Sequence, residues 1–185
     1  MYFENAGREN TSEVLRIVKQ RAKELDVKTI VVASTTGDTG VQAVETFNGF
    51  KVVIIGQSVG FREANINRFT KENQNKVQDK EGIIHFATHT FAGAGKAMKY
   101  KFDTPVAGDI MANTLYIFGQ GMKVACEAAM MAADGGLVRT DETIIAIGGT
   151  GSKGGGADTA IVLMPVNSHN FFDLRIKEIL CKPHF

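Results

Sequence analysis

The chain has 185 residues, 44% hydrophobic and 22% charged, the balance of a globular protein able to bury a core, and one domain over 1–185 is the expectation. Twenty-one Lys and Arg against 20 Asp and Glu leave a formal charge of +1, which argues against a nucleic-acid or anionic-membrane binder. The longest apolar stretches, 29–33 and 51–55, fall far short of a spanning helix, and the polar start 1–10 has no signal-peptide core, so a cytoplasmic protein is expected.

In chain order, Asn10 followed by Glu13 has the spacing of a capping box, and Val14, Leu15, Val18, Ala22 and Leu25 then recur at helical period. Residues 29–33 read as a buried strand, 38–47 as a helix and 51–55 as a second strand, together a βαβ unit with a right-handed crossover. A polar helix over about 67–80 leads to a third strand at 82–87, and helices follow over 106–118 and 122–133. Strands at 143–147 and 159–164 come next, then a short helix over about 171–179 stopped by Pro183. Alternating elements of this kind imply an α/β fold with a largely parallel sheet. Cys126 and Cys181 lack C-x-x-C spacing and read as reduced structural thiols.

Twenty glycines against three prolines turn attention to the loops, because ligands of such sheets bind beyond the carboxyl ends of the strands. Ser34, Thr35, Thr36, Gly37, Asp38 and Thr39 follow the first strand and open a helix, where free N–H groups and the helix dipole favour an anion. A helix cap needs fewer hydroxyls than this loop carries, so phosphate binding is the favoured reading. Gly149, Thr150, Gly151, Ser152, Lys153 and Gly154 follow the fourth strand. They spell G-x-G-x-x-G, but the next segment reads as a strand, so the dinucleotide motif fails, and the residues flanking Lys153 fail the Walker A pattern. A bare backbone loop with one lysine remains, able either to approach a ligand or to serve as a surface connection. Gly56, Ser58 and Gly60 match the nucleophile-elbow pattern G-x-S-x-G, although residues 61–67 do not read as the helix that must follow. His85 and His89 lie on a strand and its exit, where they would not share a face for zinc, and no metal site is expected. His89 reads first as a hydrogen-bonded structural histidine and second as a ligand contact.

The run Glu9-Asn10-Thr11, the segment IVVASTTGDTG, the turn from Gly60 to Glu63, and the close GGTGSKGGGADTAIVL followed by NFFDLRIKEIL resemble a small archaeal and bacterial family. Its members are stand-alone proteins similar to the C-terminal α/β domain of pyruvate kinase. The resemblance implies a three-layer α/β/α sandwich with a mostly parallel five-stranded sheet, order 3-2-1-4-5 and the last strand antiparallel. That order would set Ser34 to Thr39 beside Gly149 to Gly156 at the switch point. Ser34, Thr35, Thr36 and Gly37 match a kinase loop that binds the phosphate of a sugar bisphosphate, whereas Asp38 stands where that loop commonly has arginine. The family is also associated with flavin mononucleotide (FMN), whose phosphate suits the first loop and whose ring would lie along Gly149 to Gly154 or toward Phe61 and His89. The barrel that carries pyruvate kinase catalysis is not among these residues, so phosphorylation of ADP is not expected.

Three function classes follow. A cytosolic protein that binds a phosphate-bearing ligand, FMN first among them, needs only the crevice and no catalytic residue. An FMN-dependent oxidoreductase would need a proton donor, for which His89 is the candidate. A serine hydrolase would rest on Ser58. Homo-oligomerisation is left open by the sequence.

Overall fold

The structure, a computed structural model, describes residues 1–184 apart from the side chain of Lys153. Its elements are β1 (Tyr2–Phe3), α1 (Thr11–Glu24), β2 (Thr29–Ala33), α2 (Asp38–Thr46), β3 (Lys51–Gln57), α3 (Lys71–Gln78), β4 (Ile83–Ala87), α4 (Gly93–Phe102), α5 (Ala107–Tyr116), α6 (Gln120–Asp134), β5 (Ile144–Gly148), β6 (Thr159–Met164) and β7 (Arg175–Pro183). Period-two alternation along the central strands divides their side chains between two cores. Ile30 and Val32 of β2, with Val52 and Ile54 of β3, join α1, α2 and α3 on one face. Val31, Val53 and Ile55 join α5 and α6 on the other. Strands covered on both sides need no polar face, which is why β2, β3 and β5 read as continuous apolar runs. Helices therefore cover both faces of a mixed sheet.

The sheet has seven strands in the order β1-β7-β6-β5-β2-β3-β4, not five. Strands β4, β3, β2, β5 and β6 correspond to the expected set, and the expected last strand, β6, is not an edge. It pairs antiparallel with β5 on one side and with β7 on the other, and β7 pairs parallel with β1. The helix expected over 171–179 is not formed. A 3₁₀ segment at Ser168–Asp173 turns the chain, and Arg175–Pro183 then extends along β6, with Pro183 as the last residue of the strand rather than the stop of a helix. Local sequence there is compatible with a helix, but the unpaired ladder of β6 provides hydrogen bonds that an isolated short helix could not match. Two register shifts let β7 follow β6 past Ala160/Ile161 and Val162/Leu163.

Three smaller expectations also change. Asn10 does not cap α1; its Nδ2 donates to Asn5 O at 2.7 Å, stabilising the turn that leads into the helix. The start of α3 moves from 67 to Lys71, where the Thr70 hydroxyl accepts from Asn73 N at 3.2 Å. Helix α4 was not read from the sequence, since it buries no residue and places Gly93 and Gly95 in its first turn. Among the described residues no helix is long and apolar enough to cross a membrane.

Candidate functional site

Parallel pairing of β2 with β5 brings their exits to the same end of the sheet. At the first exit, Gly37 adopts φ +100°, a left-handed turn that suits glycine, and α2 begins at the next residue. Buried Ser34 accepts from Gly40 N at 3.2 Å, so one hydroxyl already serves the start of α2. Among the described residues the N–H groups of Thr36, Gly37, Asp38 and Thr39 make no hydrogen bond, which leaves four donors at the positive end of the helix. Side chains from elsewhere hold the loop in this shape. Asn73 donates to Thr36 O at 3.1 Å and to Asp38 Oδ1 at 3.0 Å, while Thr70 N donates to Thr36 O. The Thr36 hydroxyl donates to Asp38 Oδ2 at 3.0 Å, and Arg8 reaches the same oxygen at 3.2 Å. Asp38 is thus a carboxylate at the mouth of an anion-favouring helix end, with a cation beside it.

The second loop is anchored differently. Asp158 is fully buried, and its Oδ2 accepts from Gly7 N at 3.2 Å and Thr150 N at 3.0 Å, while Thr159 Oγ1 donates to Oδ1 at 2.8 Å. Thr11 Oγ1 accepts from Ala157 N at 3.0 Å. Gly151–Lys153 forms one 3₁₀ turn, and Ser152 Oγ donates to Gln120 Oε1 at 3.2 Å. Gly149 packs directly against the backbone of Gly156, and Gly154 turns through φ +83° in open space. The side chain of Lys153 lies outside the described residues. Arg8 therefore stands between the loops, ion-paired with Asp38 of the first and packed on Gly156 of the second.

A third set of residues gathers at the exits of β3 and β4. His89 Nδ1 lies 3.4 Å from Glu127 Oε2, and the same oxygen is hydrogen-bonded by Lys123 one turn earlier on α6. Glu127 Oε1 accepts from Phe91 N at 3.0 Å. Phe61 stacks on His89 with centroids 4.9 Å apart, and Lys96 lies 4.8 Å above the Phe61 ring. Burial pushes His89 below its ordinary range; Glu127 opposes this, and Lys123 and Lys96 reinforce it. The histidine is accordingly neutral at pH 7. Ser34, Thr35, Gln57, His89 and Glu127 line one cavity of about 50 Å³. Thus the structure brings Ser34, Thr35 and His89, with Phe61 stacked on the imidazole, toward one space, whereas Gly151 and Ser152 lie beside Gln120 and Gly156 beside Arg8.

Sequence reasoning missed Arg8, Asn73, Gln57, Glu127 and Asp158. A signal existed for one of them: Lys123 and Glu127 are i, i+4 charges in a helix rich in small and methionine residues, and charges that must be buried there need partners. Ser58 leaves β3 into a loop, and no helix begins before Lys71. Both cysteines are free and buried, which pushes each thiol up to about 12 and away from nucleophilic use. Among the described residues no cluster of three or more His, Cys, Asp or Glu is placed to hold a metal ion. A larger open concavity of about 640 Å³ between α4 and α5 holds none of the expected site residues.

Comparison with known proteins matches residues 12–163 to the family described as pyruvate kinase, alpha/beta domain. Among solved structures, Cryptosporidium parvum pyruvate kinase in complex with ADP is similar over 91% of this chain and 24% of that one, with 9% identity and a TM-score of 0.38. The chain thus spans about a quarter of the length of that enzyme.

Proposed function

This chain belongs to the pyruvate kinase alpha/beta domain family, and from that premise we propose that it binds a small phosphate-bearing ligand, FMN first among them, at the exits of β2 and β5. The observation that supports this reading is the row of undonated N–H groups from Thr36 to Thr39 at the start of α2. A phosphate there would accept several charge-assisted hydrogen bonds at once. Arg8, already at the mouth of the loop, would turn from Asp38 toward the ligand. The flavin ring would lie toward Phe61 and His89, because Ser34 and Thr35 share a cavity with His89 while the glycine loop after β5 faces Arg8 and Gln120. Binding, rather than turnover, is the function proposed.

Flavin fluorescence titration tests it. FMN should bind more tightly than riboflavin by tenfold or more, since the two differ only by the group that uses the helix end. Thr35→Ala with Thr36→Ala should reduce that preference, and Lys153→Ala should reduce it less, because a lysine ammonium is a strongly hydrated point charge on a flexible stem. Equal affinities for the two flavins would show that phosphate is not what the crevice reads. Absence of binding to either would remove flavin from the reading.

A further inference from the structure

The cavity at the exits of β2, β3 and β4 carries a polar atom with nothing to bond. Gln57 Oε1 is buried and has no hydrogen-bond partner among the described residues, and Gln57 is one of the residues lining that space. A buried acceptor left unpaired forfeits its bond to water without recompense, so such atoms mark places where a donor from outside the chain completes the structure. His89 adds a second acceptor. Its Nδ1 faces the Glu127 carboxylate, which is bonded by Lys123 and by Phe91 N and can only accept, so the proton of the neutral imidazole sits on Nδ1 and the lone pair on Nε2. Donors are present as well. Ser34 Oγ accepts from Gly40 N, which leaves its hydroxyl proton to give, and the Gln57 amide carries two more. The acceptors and donors of Gln57, His89 and Ser34, with Glu127 behind the imidazole in the same lining, share about 50 Å³, which suits the edge of a flat ring and not a whole ring.

The geometry points to recognition here of a cyclic imide edge, an N–H flanked by carbonyls, with Gln57 and His89 accepting from the N–H and with Gln57 and Ser34 donating to the carbonyls. A flavin carries such an edge at N3. The inference rests on the proposed FMN reading for its choice of ligand, but it assigns Gln57 and His89, which the phosphate grip does not involve.

Titration of FMN against 3-methyl-FMN, which has the same phosphate and no imide donor, tests the edge directly. The methylated flavin should bind at least tenfold more weakly. Gln57→Met, which keeps the volume and removes the amide, should weaken FMN about tenfold while leaving the FMN-to-riboflavin ratio unchanged; circular dichroism verifies its fold. Equal binding of FMN and 3-methyl-FMN would overturn the imide edge and leave the phosphate reading standing. In the free protein, ¹⁵N spectra should show His89 protonated on Nδ1, and a proton on Nε2 would also overturn the assignment. If FMN does not bind at all, flavin leaves the reading, and titration with uracil as a bare cyclic imide decides the inference: movement of the His89 resonances sustains it, and their constancy overturns it.

Discussion

The loops after β2 and β5 are both rich in glycine and hydroxyls, yet the structure builds them by opposite means. In the first, Asn73 and Thr70 hold carbonyl and carboxylate oxygens, so the fixed backbone still offers its N–H groups outward. In the second, buried Asp158 draws N–H groups inward, and the chain is closed on itself and on the segment Gly7 to Thr11. Similar composition thus gives one loop suited to a ligand and one suited to holding the molecule together. What separates them is which partner of each hydrogen bond lies outside the loop.

The contrast is tested most severely at Asp158. Asp158→Ala orphans buried donors from three segments and should lower stability by about 3 kcal/mol in urea unfolding, whereas Ser34→Ala, which removes one bond from a helix start, should cost about 1 kcal/mol. Equal losses would mean that both loops are structural anchors. Gly149→Ala comes next, because its Cβ would fall 1.9 Å from Gly156 O; the loop must reopen, at about 2 kcal/mol, measurable by the same unfolding curve. Stability unchanged by this substitution would show that the second loop is not closed on itself. A smaller effect is expected at Asp38. Asp38→Asn removes a negative charge from the helix end where a phosphate would sit, and should tighten FMN by about threefold in fluorescence titration. Weaker binding would instead make the carboxylate a ligand contact.

The smallest effect lies outside both loops. His89 in the folded protein titrates below its ordinary value near 6.5, chiefly from burial, with Lys123 and Lys96 acting in the same direction and Glu127 against it. Above that value both folded and unfolded forms are neutral, and stability is insensitive to this group. As pH falls through it, the unfolded chain takes up the proton first, so stability declines until the folded histidine also protonates. His89→Gln should flatten this part of the stability profile measured by thermal unfolding between pH 7 and 5.

The central strands and the helix after β2 were legible because their periodicity and apolar runs are local properties of sequences such as IVVA and VVII. Strand β7 was not, since its pairing with β6 is supplied by residues far away in the chain. The site divides in the same way. Ser34 to Thr39 announce themselves as a loop, but the roles of Arg8 and Asn73 exist only once three separate segments have met at Asp38. Likewise nothing adjacent to His89 in sequence marks Glu127 as its neighbour.

The joining of distant segments has a kinetic consequence. Met1 N donates to Leu180 O across a separation of 179 residues, Gly7 N to Asp158 across 151, and Ala157 N to Thr11 across 146. Such closures carry the largest loop entropy and contribute little until the rest of the chain is in place. The βαβ unit that carries the first loop can form early from neighbours in sequence, while the second loop and Arg8 wait for the two ends of the chain to meet. An intermediate that has its sheet but not this closure would hold half a crevice, so recovery of ligand binding during refolding should lag behind recovery of helix signal.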